Sequence, residues 1–193
     1  MPTKYVVIGA GRQGVAAAYD LGVFGRADEI VLLDIDGEAA RAAAARLNAL
    51  LGRDVARGAA ADAGDIRAVR PHLEGAVGCI SSVHFTFNLA ITRLAIDERV
   101  NLVDFGGNTG VVRQQLALDH EARAAGISVV PDCGMGPGLN ISLGTHVMAL
   151  VEEPREVLIW DGGLPQDPQP PWNYACAFAL GGLTNEYDGD AFF

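Results

Sequence analysis

Lys4-Tyr-Val-Val-Ile-Gly9-Ala-Gly11-Arg12-Gln13-Gly14 is the stretch that decides the fold. An apolar, β-branched run ends in glycines spaced G-x-G-x-x-G, and the chain then enters an alanine-rich helical pattern. With 24 glycines in 193 residues the spacing alone carries little weight. Its context carries more. A second apolar strand, Glu29-Ile-Val-Leu-Leu-Asp34, ends in a carboxylate 20 residues past Gly14, which completes the parts of a dinucleotide-binding βαβ unit. Each part has a physical task. Gly9 permits the tight turn, Gly11 lets backbone approach a pyrophosphate, and Gly14 allows close helix-to-strand packing. Arg12 and Gln13 belong to the same cofactor-contacting turn, where free N–H groups at a helix N-terminus would hold the phosphates. Asp34 can accept hydrogen bonds from both ribose hydroxyls and would repel a 2′-phosphate, which favours NAD over NADP. The alternative is an ordinary strand-to-helix turn, with Asp34 capping the next helix.

Half of the residues are hydrophobic and no tract is of low complexity, so the length suits one α/β domain with material left over. A formal net charge of −10, with no face of clustered Lys and Arg, argues against nucleic acid or an anionic membrane surface as partner. Met1-Pro-Thr-Lys4 runs straight into the first strand, and no apolar run approaches membrane-spanning length; the expected location is cytoplasmic. Cys79, Cys133 and Cys176 are widely separated and lack C-x-x-C spacing, so neither a disulfide framework nor a metal site is expected. They read as small buried apolar residues.

Strand and helix patterns alternate through the first two-thirds, the signature of parallel βαβ units. Strands are expected at residues 4–8, 29–34, 55–59, 75–80, 101–104 and 127–130. Helices are expected at 13–21, 37–51, 65–70 before Pro71, 86–98 and 111–125. After Pro131 the texture changes. The glycine and proline punctuated Pro131-Asp-Cys-Gly-Met-Gly-Pro-Gly138 leads into an apolar helical pattern over 139–151 and a strand over 155–160. The proline-rich 162–171 follows, then the start of another element over 173–180. The fold expected is a Rossmann-type doubly wound parallel sheet over 1–131, followed over 132–193 by the beginning of a second α/β domain that reads as truncated.

In an open α/β sheet, ligands lie beyond the carboxyl ends of the strands, which singles out the residues that follow each strand. Asp62 is a candidate for the adenine amine, and Ser81 and Ser82 for the nicotinamide-side ribose and phosphate. Each has a plain alternative as a helix cap or turn former. His84 lies on a strand-to-helix loop that can face the cleft, and its alternative is a surface or capping role. Asp104 and Asp132 end neighbouring strands, and either is a candidate base or a structural carboxylate bonded to loop N–H groups. Cys133 is read beside a helix N-terminus, a setting that lowers a thiol pKa, with no sequence-near histidine to mark a nucleophile.

Four stretches together resemble the saccharopine dehydrogenase-like oxidoreductases, and within them the L-lysine 6-dehydrogenase branch. They are Gly9-Ala-Gly-Arg-Gln-Gly14; Cys79-Ile-Ser-Ser-Val-His-Phe-Thr-Phe-Asn88; Val103-Asp-Phe-Gly-Gly-Asn-Thr109 with Pro131 to Gly138; and Gly162-Gly-Leu-Pro-Gln166 with Leu183-Thr-Asn-Glu-Tyr187. The resemblance implies a Rossmann-type cofactor domain and a second α/β domain inserted after the sixth strand, which covers the substrate and supports a homo-oligomer. It also implies a chain of roughly twice the usual domain length, so this one is expected to be an N-terminal portion. The implied reaction is oxidative deamination of L-lysine at its ε-carbon, with hydride passing to NAD and the imine hydrolysed to 2-aminoadipate 6-semialdehyde and ammonia. Asp104, His84 and Cys133 occupy the matching loops as catalytic candidates. The loops of Gly106 to Thr109, with Asn108 among the cofactor contacts, and of Asp132 to Gly138 would wall the nicotinamide and small-molecule amino-acid pocket. One rival is a saccharopine or carboxynorspermidine dehydrogenase-type reductase of the same family. Another is a non-catalytic NAD-binding module whose cofactor governs association with a partner.

Overall fold

The computed structural model describes residues 2–175, 180 and 184, and the chain divides into two compact units, Met1–Asp132 and Cys133–Phe193. In the first unit six parallel strands form one sheet in the order β3-β2-β1-β4-β5-β6. The strands are β1 Lys4–Ile8, β2 Glu29–Asp34, β3 Ala56–Ala60, β4 Gly78–Ser81, β5 Asn101–Asp104 and β6 Val129–Val130. Between them run α1 Arg12–Val23, α2 Gly37–Leu51, α3 Ile66–Leu73, α4 Asn88–Glu98, α5 Thr109–Leu116 and α6 Asp119–Ala125, with a 3₁₀ turn at Phe85–Phe87. The strand order reverses between β1 and β4, so the carboxyl ends of these two strands flank the crevice where a doubly wound sheet binds its ligand.

β1 and β2 are continuous apolar runs because both of their faces are covered. Val6 pairs in register with Val31 and with Cys79. Alternation along the strand then sorts the side chains into two cores. Val6, Ile8, Val31, Leu33 and Leu102 pack with Val69, Leu73, Ile91 and Leu94 on one face. Val7, Ile30 and Leu32 pack with Ala18, Ala44 and Leu47 on the other. Each fully buried Val, Leu or Ile contributes roughly 1.5–3 kcal/mol relative to exposure, so this double layer fixes the platform on which the loops stand.

Several expected boundaries move, four of them for reasons the residues show. The helix expected over 111–125 is two helices, because Leu118 leaves the helical region (φ −88°, ψ 11°) before Asp119 opens α6. Asp119 places an acid at the new N-terminus and pairs with Arg123 one turn on, at 2.7 Å. Pro71 sits inside α3 rather than after it, forgoing one bond to the preceding turn, and the helix runs on to Leu73. β4 begins at Gly78 rather than at Gly75, which adopts φ +70° in the turn before it. β6 holds only two residues, a short edge strand.

In the second unit, α7 spans Leu139–Met148. Residues 155–160, expected as a strand, are exposed and form no ladder among the described residues. An apolar sequence supplies the propensity for a strand but not the neighbour it must pair with. Cys176, the Leu183–Tyr187 motif apart from Thr184, and residues 176–179 of the element expected over 173–180 lie outside the described residues.

Candidate dinucleotide site

At the turn between β1 and α1, Gly9 has φ +101°, and a Cβ there would lie 2.6 Å from the Ser82 carbonyl oxygen. Its N–H donates to the Leu33 carbonyl at 2.7 Å, which pins the turn to β2. Gly14 is buried in the first turn of α1, where a Cβ would overlap the Gly9 carbonyl and stand 3.3 Å from Ser82 Oγ. Gly11, the N-cap, faces open space instead. No side chain caps α1 and no acid lies in its first turn. The first carbonyl-bonded amide is that of Val15, to Gly11 at 2.9 Å. By contrast α2, α3 and α5 are capped by Asp36, Asp65 and Asn108. The leading N–H groups of α1 are therefore left for an anion at the positive end of the helix.

On the β2–β3 side, Asp34 Oδ2 accepts the Ala10 N–H and Oδ1 accepts the Asp36 N–H, both at 3.0 Å. Asp34 thus ties the glycine turn to the end of β2 and does not cap α2. That task falls to Asp36, which accepts from Glu38 and Ala39 at 2.9 and 3.1 Å. Each Asp34 oxygen retains a lone pair for a ribose hydroxyl. Exposed Ile35 separates the two acids, and an Arg41 guanidinium nitrogen stands 3.2 Å from the place a Gly37 Cβ would take. Asp62 is exposed and shapes its own turn by accepting the Gly64 N–H at 2.8 Å.

The β4–β6 side is built differently. Ser82 lies half-buried beside Gly9 and Gly14, whereas Ser81 turns inward, 1% exposed, and donates to Asn88 Oδ1 at 2.7 Å. Ser81 is thereby removed from the cofactor face, because in a strand successive side chains point to opposite sides. Asp104 is fully buried (0% exposed). Its Oδ1 accepts the N–H groups of Gly106 and Asp132 at 2.7 and 3.2 Å, and its Oδ2 accepts Gln115 Nε2 at 2.6 Å. A carboxylate so enclosed ties the loops after β5 and β6 to α5. Asn108 Oδ1 takes the Val111 N–H at 3.0 Å as the α5 cap, so that oxygen serves the helix. Asp132 adopts φ +60°, and its Oδ1 occupies the place of the Cβ that Gly106 lacks. Partial burial, and secondarily the Asp104 charge, raise the Asp132 carboxyl above its ordinary value, opposed by the Gly107 N–H. His84 is exposed, its Nδ1 3.0 Å from Thr86 Oγ1 and its ring packed on Phe85 at a 4.2 Å centroid separation. Phe85 in turn lies 3.1 Å from the place of a Gly107 Cβ, which puts His84 beside the glycine loop after β5.

Residues 5–130 match the family model described as the saccharopine dehydrogenase NADP binding domain. The chain belongs to this family. Among solved structures it is similar to the apo histidine-tagged saccharopine dehydrogenase (L-Glu forming) from Saccharomyces cerevisiae, at 19% identity and TM-score 0.60 over 76% of this chain and 31% of that one. It is also similar to GenD2 from gentamicin A biosynthesis in complex with NAD (16%, TM-score 0.53, 77% and 39%). An NAD binding oxidoreductase from Klebsiella pneumoniae gives 18% identity and TM-score 0.51 over 77% and 39%. At these identities the likeness shows the fold, and the chain spans less than half the length of each of these structures.

As an NAD(P)-binding oxidoreductase domain of the saccharopine dehydrogenase family, the first unit brings Gly9, Gly11, Arg12, Gln13, Gly14, Ser82 and Asp34 around one turn. It leaves Asp62 on its own exposed loop. Cys133 opens the second unit in a loop closed by a bridge between Gly134 and Gly138, the N-cap of α7, and a Cβ on Gly138 would lie 2.8 Å from the Cys133 carbonyl carbon. Thr92 and Gln115, buried partners in the Asp104 cluster, escaped the sequence reading. Their one signal is that polar residues fall on core-facing positions of α4 and α5.

Proposed function

We propose that this saccharopine dehydrogenase family domain binds NAD in preference to NADP and serves the oxidative deamination of the ε-amino group of L-lysine. The observation that carries the cofactor choice is the acid pair at the end of β2. Asp34 and Asp36 stand where the adenosine ribose would lie, and a 2′-phosphate would meet two carboxylates there. Arg41 beside Gly37 favours the other reading, NADP, which is also the cofactor in the family model's description. The substrate assignment rests on the motifs after β4, β5 and β6. A saccharopine-type or carboxynorspermidine-type secondary amine is the alternative.

The residues fit a dinucleotide: an uncapped twelve-residue helix with an open Gly11 for the pyrophosphate, and a carboxylate with spare lone pairs for the ribose. When bound, NAD supplies the hydride acceptor. The glycine turn and Asp34 fix the adenosine and diphosphate, and the Gly106–Gly107 loop borders the nicotinamide end. His84 takes the proton of the substrate ammonium, because it is the exposed titratable group beside that loop while Asp104 is sealed. Thr86 holds Nδ1, which leaves Nε2 for proton exchange.

Titration calorimetry with NAD and NADP, followed by absorbance of NADH in the presence of L-lysine, tests this reading. Tighter NAD binding and lysine-dependent NADH support it. Tighter NADP binding overturns the cofactor choice, and NAD binding without turnover on any amine favours either the binding-module alternative or an enzyme that needs further chain to act.

A further inference from the structure

The polar cluster under the β5 loop is buried, continuous and remote from solvent. Thr92 Oγ1 donates to the Asn88 carbonyl at 2.8 Å and accepts from Gln115 Nε2 at 2.9 Å. The second hydrogen of the same amide goes to Asp104 Oδ2 at 2.6 Å, and Asp104 Oδ1 takes the amides of Gly106 and Asp132. The orientation of the Gln115 amide is dictated by this chain, since a carboxylate oxygen accepts only from a donor. Its Oε1 is left buried without a partner among the described residues. An unsatisfied buried carbonyl costs stability, and the arrangement that incurs it is the one that holds Asp104 in place.

In a doubly wound sheet the dinucleotide crosses the crevice at the switch point. With the adenosine ribose at Asp34 on β2 and the diphosphate at α1, the nicotinamide half falls over β4 and β5. We infer that Gln115, braced by Thr92, is a positioning residue for the nicotinamide end of the cofactor, acting through Asp104 to set the Gly106–Gly107 backbone against it. This inference rests on the dinucleotide reading of the crevice.

Gln115→Leu keeps the apolar bulk and removes both donors. Titration with ADP, which reaches only the adenosine and diphosphate subsites, is compared with titration with NAD. The expected result is about tenfold weaker NAD binding with ADP binding within about twofold of wild type. Thr92→Val, which removes one acceptor, gives a smaller selective loss, and Thr92→Ser restores wild-type behaviour. Should Gln115→Leu not fold, the Thr92 pair decides on the same readout. Equal losses for ADP and NAD, or no loss for either, overturn the inference. A wild-type protein that binds ADP but not NAD removes both the dinucleotide reading and the inference; NAD binding indifferent to Gln115 and Thr92 removes the inference alone.

Discussion

The two halves of the crevice hold the same kinds of residue in opposite ways. On the β2–β3 side, Asp34, Asp36 and Asp62 each bond amides close by in the chain or in the adjoining turn, and they stand at or near solvent. On the β4–β6 side, Ser81, Asn88, Thr92, Asp104 and Gln115 are all buried, and they bond across four elements. The first arrangement is a set of contacts offered to a ligand. The second is a frame that holds other contacts still. Loss of a group on the first side should therefore be felt in affinity, and on the second side in stability or in the position of a loop.

The largest effect expected is on the frame. Asp104→Ala strips the acceptor from three buried or half-buried donors and opens a cavity, which should lower the unfolding free energy by about 3–5 kcal/mol in a urea titration; a change under ~1 kcal/mol would show that Asp104 is not a clamp. Asp34→Ala should act the other way round. It is expected to weaken NAD binding by about tenfold to a hundredfold, or roughly 1.4–2.7 kcal/mol, and calorimetry that finds unchanged affinity would take Asp34 out of the site. Ser81→Ala leaves Asn88 Oδ1 without its donor and should cost about 1–2 kcal/mol of stability, with NAD affinity preserved because the hydroxyl faces inward.

The smallest effect concerns Asp132. Its folded-state carboxyl titrates above its ordinary value, so the proton stabilises the native form. That contribution is present below the unfolded-state value, 3.8, and is lost as pH rises through the raised folded-state value. The substitution Asp132→Asn removes the titrating group while keeping a side chain that tolerates the left-handed backbone at this position, and should abolish this loss. The difference in melting temperature between wild type and variant should therefore shift steadily in the variant's favour as pH climbs out of the acid range.

What was legible in the sequence follows the same division. The glycine turn, the acid ending β2 and the sheet itself are written in short-range spacing: β1, β2, β5 and α2 begin and end where the residues place them. The frame is written in pairs far apart. Thr92 and Gln115 are 23 residues apart, and Asp104 and the Asp132 N–H that it accepts are 28 apart, and nothing local announces that these groups meet. Ser81 and Ser82 show the limit at its sharpest, since one residue of register decides which serine faces the crevice and the pattern Cys-Ile-Ser-Ser reads equally well either way. Residues 155–160 illustrate another limit, for an apolar run specifies a partner's chemistry without specifying the partner.

Cys79 lies in the middle of the sheet, 2% exposed, its thiol pushed up to about 12 by burial. Alkylating reagents attack the thiolate, so this sulfur stays silent until β4 parts from its neighbours. Its modification rate then becomes a clock for the rare opening of the cofactor domain. Saturating dinucleotide should slow that clock by the factor with which it favours the closed form, a way to weigh occupancy with no turnover at all.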